Sequence, residues 1–111
     1  MATGTLPDVP SSATPITQEI NTGLAQVNRF FLYCDANDSV VVVVQYNRDY
    51  MENRYAGFYE YKGSNVGYIG VNNIGTNAYQ NAPTLVSING GVVTVTFGVA
   101  QARTNITWYA E

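Results

Sequence analysis

Val40, Val41, Val42, Val43 and Val44 stand in a row inside S-V-V-V-V-V-Q-Y, and no other feature restricts the fold as tightly. Valine is stiff at χ1 and packs well on a pleated surface, so the run predicts a β-strand. Side chains alternate between the two faces of a strand, and a half-exposed strand alternates apolar with polar residues. Five valines leave neither face polar. The run is therefore expected to be either a core strand covered on both sides or a strand at an oligomer interface.

The rest of the chain reads as cover for that strand. From residue 29 onward the pattern has period two. R-F-F-L-Y-C (29–34), the valine strand (39–47), R-Y-A-G-F-Y-E-Y (54–61), V-G-Y-I-G-V (66–71), 84–88, V-V-T-V-T-F (92–97) and T-N-I-T-W-Y (104–109) give about seven strands. Asp35 to Asp38, Lys62 to Asn65 and Asn89-Gly90-Gly91 separate three pairs of them as hairpin turns, the last being the strongest turn signal. Val93, Val95 and Phe97 are expected inward, as are Ile106 and Trp108, and residues 48–53 read as a loop. The predicted class is all-β, a compact antiparallel sandwich or barrel.

The first 28 residues are read differently. Residues 1–15 hold Pro7, Pro10 and Pro15 and few large apolar side chains, which predicts an extended N-terminal arm. Leu6, Pro7, Val9 and Pro10 are its candidate anchoring residues, and deletion of the arm is expected to leave the fold intact but abolish attachment to a neighbour. Residues 16–28 carry Ile16, Ile20, Leu24 and Val27 at helical spacing behind Thr14 and Pro15, interrupted by Asn21-Thr22-Gly23. They are read as a linker or short helix, leaving 29–111 as the sandwich domain.

With 111 residues the chain has room for one core. Its charged fraction, 12%, is about half the usual value, so its polarity rests on amides, hydroxyls and nine tyrosines. Such a surface suits lasting contact with other surfaces better than free diffusion at high concentration. The five basic residues are scattered and the net charge is −3, which argues against nucleic acid as a partner. No charged and apolar leader and no long apolar span is visible, so neither secretion nor membrane insertion is expected. The sequons at Asn37 and Asn105 are accordingly read as chance.

Catalysis has little to work with. Histidine is absent, which removes the commonest general base and metal ligand. Asp35 with Asp38, and Asp49 with Glu52, are read as turn and loop carboxylates. Asp35, Asn37 and Asp38 could offer oxygens to a hard cation, but the glycine and distal glutamate of an EF-hand loop are missing, so no metal is assigned. Gly67, Gly70 and Gly75 do not lead from a strand into a helix and form no phosphate loop. Cys34, the single cysteine, lies in an apolar run and is expected to be a buried, inert thiol. No enzyme activity and no cofactor are expected.

The tyrosines carry the remaining signal. Tyr46, Tyr50, Tyr55, Tyr59, Tyr61, Tyr68 and Tyr79 cluster among Asn and Gly. They read either as ordinary strand residues packing a core or as a contact surface for protein or sugar rings.

S-I-N-G-G-V-V-T-V-T-F (87–97) and the ending T-N-I-T-W-Y-A-E (104–111) resemble the strand–Gly-Gly–strand and terminal aromatic strand of small virion proteins of tailed bacteriophages. The resemblance covers the last quarter of the chain and its general composition. It implies a non-enzymatic structural protein, expected as a homotrimer, that binds the outside of a virion as a capsid decoration (cement) protein. The alternative is a receptor- or carbohydrate-binding fibre tip using a Tyr-rich face. A cellular β-sandwich adaptor is a third reading, with nothing beyond the fold in its favour.

Overall fold

The computed structural model describes residues 1–36, 40–61, 66–76, 83–98 and 102–111. Nine strands are present among them: β1 Ala2–Thr5, β2 Ile16–Asn21, β3 Arg29–Ala36, β4 Val40–Asn47, β5 Arg54–Tyr61, β6 Val66–Asn73, β7 Thr84–Asn89, β8 Val92–Phe97 and β9 Arg103–Ala110. They form an antiparallel six-stranded sheet in the order β1-β9-β3-β4-β5-β6 and a three-stranded sheet in the order β2-β8-β7. The fold is all-β, as the alternation predicts, with two strands more than the period-two reading finds.

One core lies between the sheets. The larger sheet contributes Phe30, Leu32 and Cys34 from β3, Val44 and Tyr46 from β4, Tyr55 from β5, and Ile106, Trp108 and Ala110 from β9. The smaller sheet contributes Ile20, Leu85, Val93, Val95 and Phe97. Val93, Val95, Phe97, Ile106 and Trp108 thus face inward as expected. Covering these side chains drives the two layers together, at about 1.5–3 kcal/mol for each large apolar group taken fully out of water. The valine strand β4 is an inner strand, paired with β3 from Val40↔Ala36 to Asn47↔Arg29 and with β5 on its other side. Val44 is fully buried and Val43 is half-buried; the side chains of Val40, Val41 and Val42 lie outside the description.

The N-terminal arm needs correcting. Its first residues form β1, which pairs along β9 from Ala2↔Ala110 to Thr5↔Thr107. The same register continues through Leu6, whose N–H donates to Ile106 O at 3.1 Å, to Val9, which exchanges both backbone hydrogen bonds with Arg103 at 2.8 and 2.9 Å. Val9 is 2% exposed, Leu6 packs against the core, and Pro7 and Pro10 are exposed. These anchoring residues are anchored on their own chain. The physical reason is that β9 would otherwise be an open edge, and Leu6 and Val9 are the apolar groups that reach its inner side. Gly4 is required here, because a Cβ would stand 2.8 Å from the Trp108 ring.

The helix-or-linker reading of residues 16–28 is corrected too. Ile16–Asn21 is β2, paired with β8 from Ile16↔Phe97 to Asn21↔Val92. Ile16 and Ile20 are four apart, a spacing that suits a helix face and one face of a strand equally well; the neighbour β8 decides. Residues 22–28 are irregular and tied by Thr22 N–H to Gly91 O and Val27 N–H to Gly90 O, both at 3.0 Å. The sandwich therefore includes β1 and β2 and is not confined to residues 29–111. The expected 48–53 loop contains a single helical turn, α1 Arg48–Met51, capped by the Asn47 side chain accepting from Asp49 N–H.

Two irregularities position side chains. The β7–β8 hairpin turns on Gly90 and Gly91, with positive φ at Gly90 (60°), the pattern of a type II′ turn. In β9 the pairing with β3 passes from Tyr33↔Thr107 to Asp35↔Thr104, so β9 carries one extra residue there, and Asn105 takes φ 52°. Past this bulge the alternation is inverted: Arg103, rather than Thr104, points inward, and it is 0% exposed.

Candidate interaction surface

The smaller sheet covers one face of the larger; among the described residues the other face is exposed along β1, β9, β3 and β4, whereas Ala56, opposite Gln45 on β5, is buried. Directly opposed residues of antiparallel strands share a face, so the register builds this surface row by row. One row runs Thr3–Tyr109–Phe31–Gln45 across β1, β9, β3 and β4, and the next runs Thr5–Thr107–Tyr33–Val43. Tyr33 is 42% exposed, and Phe31 and Tyr109 are half-buried. The Phe31 and Tyr33 rings meet edge to face, with centroids 5.9 Å apart. Together these groups line a shallow groove of about 460 Å³ whose floor is aromatic and whose walls are hydroxyl and amide, Thr3, Thr107, Gln45 and Asn47 among them.

Charge lies at the ends of this surface. Arg29 Nη1 and Glu111 Oε1 form an ion pair at 2.7 Å at one end. At the other, Asn105 Nδ2 donates to Asp35 Oδ2 at 2.9 Å. Arg29 is more than half exposed, so that pair contributes at most about 1 kcal/mol. Between the ends the face offers large apolar area with hydrogen-bonding capacity, the composition found at the centres of protein–protein contacts.

The sequence-predicted tyrosines do not assemble as one surface. Tyr55 is fully buried and its hydroxyl donates to Thr76 O, and Tyr46 is 6% exposed, so both are core residues rather than contact residues. Each sits on the inner side of its strand, where an aromatic ring fills the space under the smaller sheet. Tyr50 stands on α1 and is 85% exposed. Tyr59 and Tyr61 lie on β5 and Tyr68 on β6, with side chains outside the description, and Tyr79 lies outside the described residues. Phe31, Tyr33 and Tyr109 went unremarked as contact candidates. Their signal is phase: they alternate with the inward Phe30, Leu32 and Trp108, which leaves three aromatic side chains on an outer face where polar residues are usual.

A second cavity of about 440 Å³ opens between the sheets at one end, with Val27, Tyr46, Arg48, Asn53, Val86 and Ile88 among its lining. Burial pushes the Tyr46 phenol above its usual range, with Arg48 opposing the shift. At the other end of the core burial pushes the Cys34 thiol up to about 12, against the pull of the nearby Arg103 guanidinium. The Arg103 pKa is itself lowered by burial. A thiol held neutral in this way is neither nucleophile nor metal ligand at neutral pH. Among the described residues no three His, Cys, Asp or Glu side chains are grouped to hold a metal ion, and no helix is long and apolar enough to cross a membrane.

Comparison with protein-family models, with curated proteins and with solved structures finds no match to the chain.

Proposed function

We propose that the chain is a non-enzymatic structural protein that binds another protein through the open face of its six-stranded sheet, as a decoration (cement) protein binds the outside of a phage capsid. The observation that carries this reading is the Phe31–Tyr33–Tyr109 cluster, uncharged at its centre and framed by threonine and amide groups. Three outward aromatics on one sheet face are costly to leave in water and supply contact area at little loss of side-chain entropy. Val43, beside Tyr33 in the same row, extends the patch. The low charge of the chain and the likeness of residues 87–97 and 104–111 to phage surface proteins favour a virion setting, with a trimer as the expected assembly. On this reading the N-terminal segment is the edge strand of the chain's own sheet, so attachment falls to the sheet face.

The test is re-binding of the purified chain to particles stripped of it, followed by co-sedimentation. Removing the Tyr33 ring (Tyr33→Ala) should weaken binding by about 2 kcal/mol or more if it is a central contact. Undiminished binding by a Phe31→Ala, Tyr33→Ala, Tyr109→Ala triple variant would contradict the proposal.

A carbohydrate-binding fibre tip is the second reading, favoured by one feature: the groove sets an aromatic floor beside Gln45 and Asn47. Glycan binding lost on Tyr33→Ala, with no affinity for particles, would select it.

A further inference from the structure

An open sheet edge presents unpaired N–H and C=O groups, and soluble proteins blunt such edges. Among the described residues the two sheets have four edges, and three of them are blunted. β1 is four residues long and runs into Pro7 and Pro10. β6 is bulged against β5 next to Gly70, which has φ 122°. β7 is bulged between Leu85 and Ser87, and Gly75 N–H already occupies its Leu85 O at 2.8 Å. β2 is the least protected: Pro15 precedes it and Glu19 lies on it, but nothing interrupts the strand itself. It is six residues long, unbulged, free of proline, and paired on one side by β8.

The register says which groups of β2 are open. Asn89 and Val92 flank a two-residue turn, so they exchange both hydrogen bonds with each other and the peptide groups of Val92 turn toward β7. One residue on, Val93, Val95 and Phe97 turn toward β2 and meet Ile20, Gln18 and Ile16. The bond from Thr22 N–H to Gly91 O continues the same parity. The peptide groups of Thr17, Glu19 and Asn21 therefore point away from the sheet, and all three residues are exposed.

We propose that β2 is a strand-addition site, and that its occupant is an extended segment of a partner protein carrying Lys or Arg opposite Glu19. The charge argument selects that occupant over a second copy of the chain. Glu19 is the one charge on β2 and the chain carries net −3. In the centred antiparallel pairing of two β2 edges Glu19 would face Glu19, and like charges directly opposed are destabilising. Slipping by one pair one way brings Pro15, which has no N–H, opposite Asn21, and slipping the other way brings Thr17 opposite Gly23, whose N–H is already donated to Asn21 Oδ1 at 3.1 Å. A foreign strand avoids these conflicts, and a cation at its centre turns the repulsion into attraction. This site is separate from the aromatic face, so a result against it leaves that reading standing.

The test uses two capped synthetic peptides, Thr-Val-Thr-Lys-Thr-Val-Thr and the same peptide with Glu at its centre, titrated into the full-length chain. Amide hydrogen exchange is followed residue by residue. Binding of the Lys peptide should slow exchange at Thr17, Glu19 and Asn21 while leaving Gln18 and Ile20, already bonded to β8, unchanged. The Lys peptide should bind about fivefold tighter than the Glu peptide, and Glu19→Lys should invert that preference. Three results would overturn the proposal: no protection at β2 with either peptide, a preference that Glu19→Lys does not alter, or protection that depends on protein concentration without peptide.

Discussion

Shortening Val9 to alanine probes the N-terminal segment where it is most deeply inserted. Val9 is 2% exposed, belongs to the core cluster, and exchanges two backbone hydrogen bonds with Arg103. The substitution keeps those backbone bonds and removes two carbons from the core. At about 0.8 kcal/mol per buried carbon the transfer loss is about 1.6 kcal/mol, and the cavity left behind brings the total to about 2 kcal/mol. For a domain of this size that corresponds to a fall in Tm of about 8 °C, or a urea midpoint lower by about 1 M. The assay is equilibrium urea unfolding followed by the fluorescence of Trp108, the one tryptophan, whose ring lies against Gly4 of β1. Pro10→Ala, at an exposed site in the same segment, is the control and should change stability by less than about 0.5 kcal/mol. An arm that orders on a neighbouring molecule predicts no difference between the two variants in the isolated chain. Equal midpoints would therefore refute the placement of residues 2–9 as an integral edge of the sheet.

Three further outcomes follow from particular contacts. Gly91→Ala should cost more than about 2 kcal/mol in the same unfolding assay, because its Cβ would lie 1.8 Å from Leu24 O, a backbone atom that cannot swing aside. Tyr55→Phe leaves Thr76 O without its buried donor and should cost about 1–2 kcal/mol with no change in the far-ultraviolet spectrum. The Cys34 thiol, raised by burial from 9.0 to about 12, titrates later in the folded chain than in the unfolded one. The unfolded chain therefore loses its proton first, and the linked stability is full below about pH 9 and is lost as pH rises toward 12. Cys34→Val should unfold with a shallower alkaline loss than the parent, and at pH 8 a thiol reagent should react with the parent at the rate of unfolding; prompt reaction would contradict the burial.

What was legible in the sequence was whatever the strands encode locally. The valine run, the alternation of Val93, Val95 and Phe97, and the Gly90-Gly91 turn each carry their structure within a few residues, because side-chain phase and turn geometry are local properties. β1 and β2 escaped for the opposite reason. Ala2–Thr5 has almost no apolar content and becomes a strand because β9 needs an edge partner. Ile16–Asn21 becomes one because β8 lies beside it, a contact across the whole chain. The inward turn of Arg103 depends on the bulge at Asn105, for which an asparagine with positive φ is a weak local cue. Tyrosine abundance does not say which face a side chain takes; phase along the strand does. Tyr46 and Tyr55 share the inner phase of their strands and went into the core, while Tyr33 and Tyr109 took the outer one.

The most direct test of the account is a hydroxyl-radical footprint of the chain, free and bound to particles. The open face predicts that Phe31, Tyr33 and Tyr109 are labelled in the free chain and protected on binding, while Tyr50, at 85% exposure on α1, is labelled equally in both. Protection at Tyr50 with unchanged labelling of Phe31, Tyr33 and Tyr109 would place the contact elsewhere and contradict the central claim.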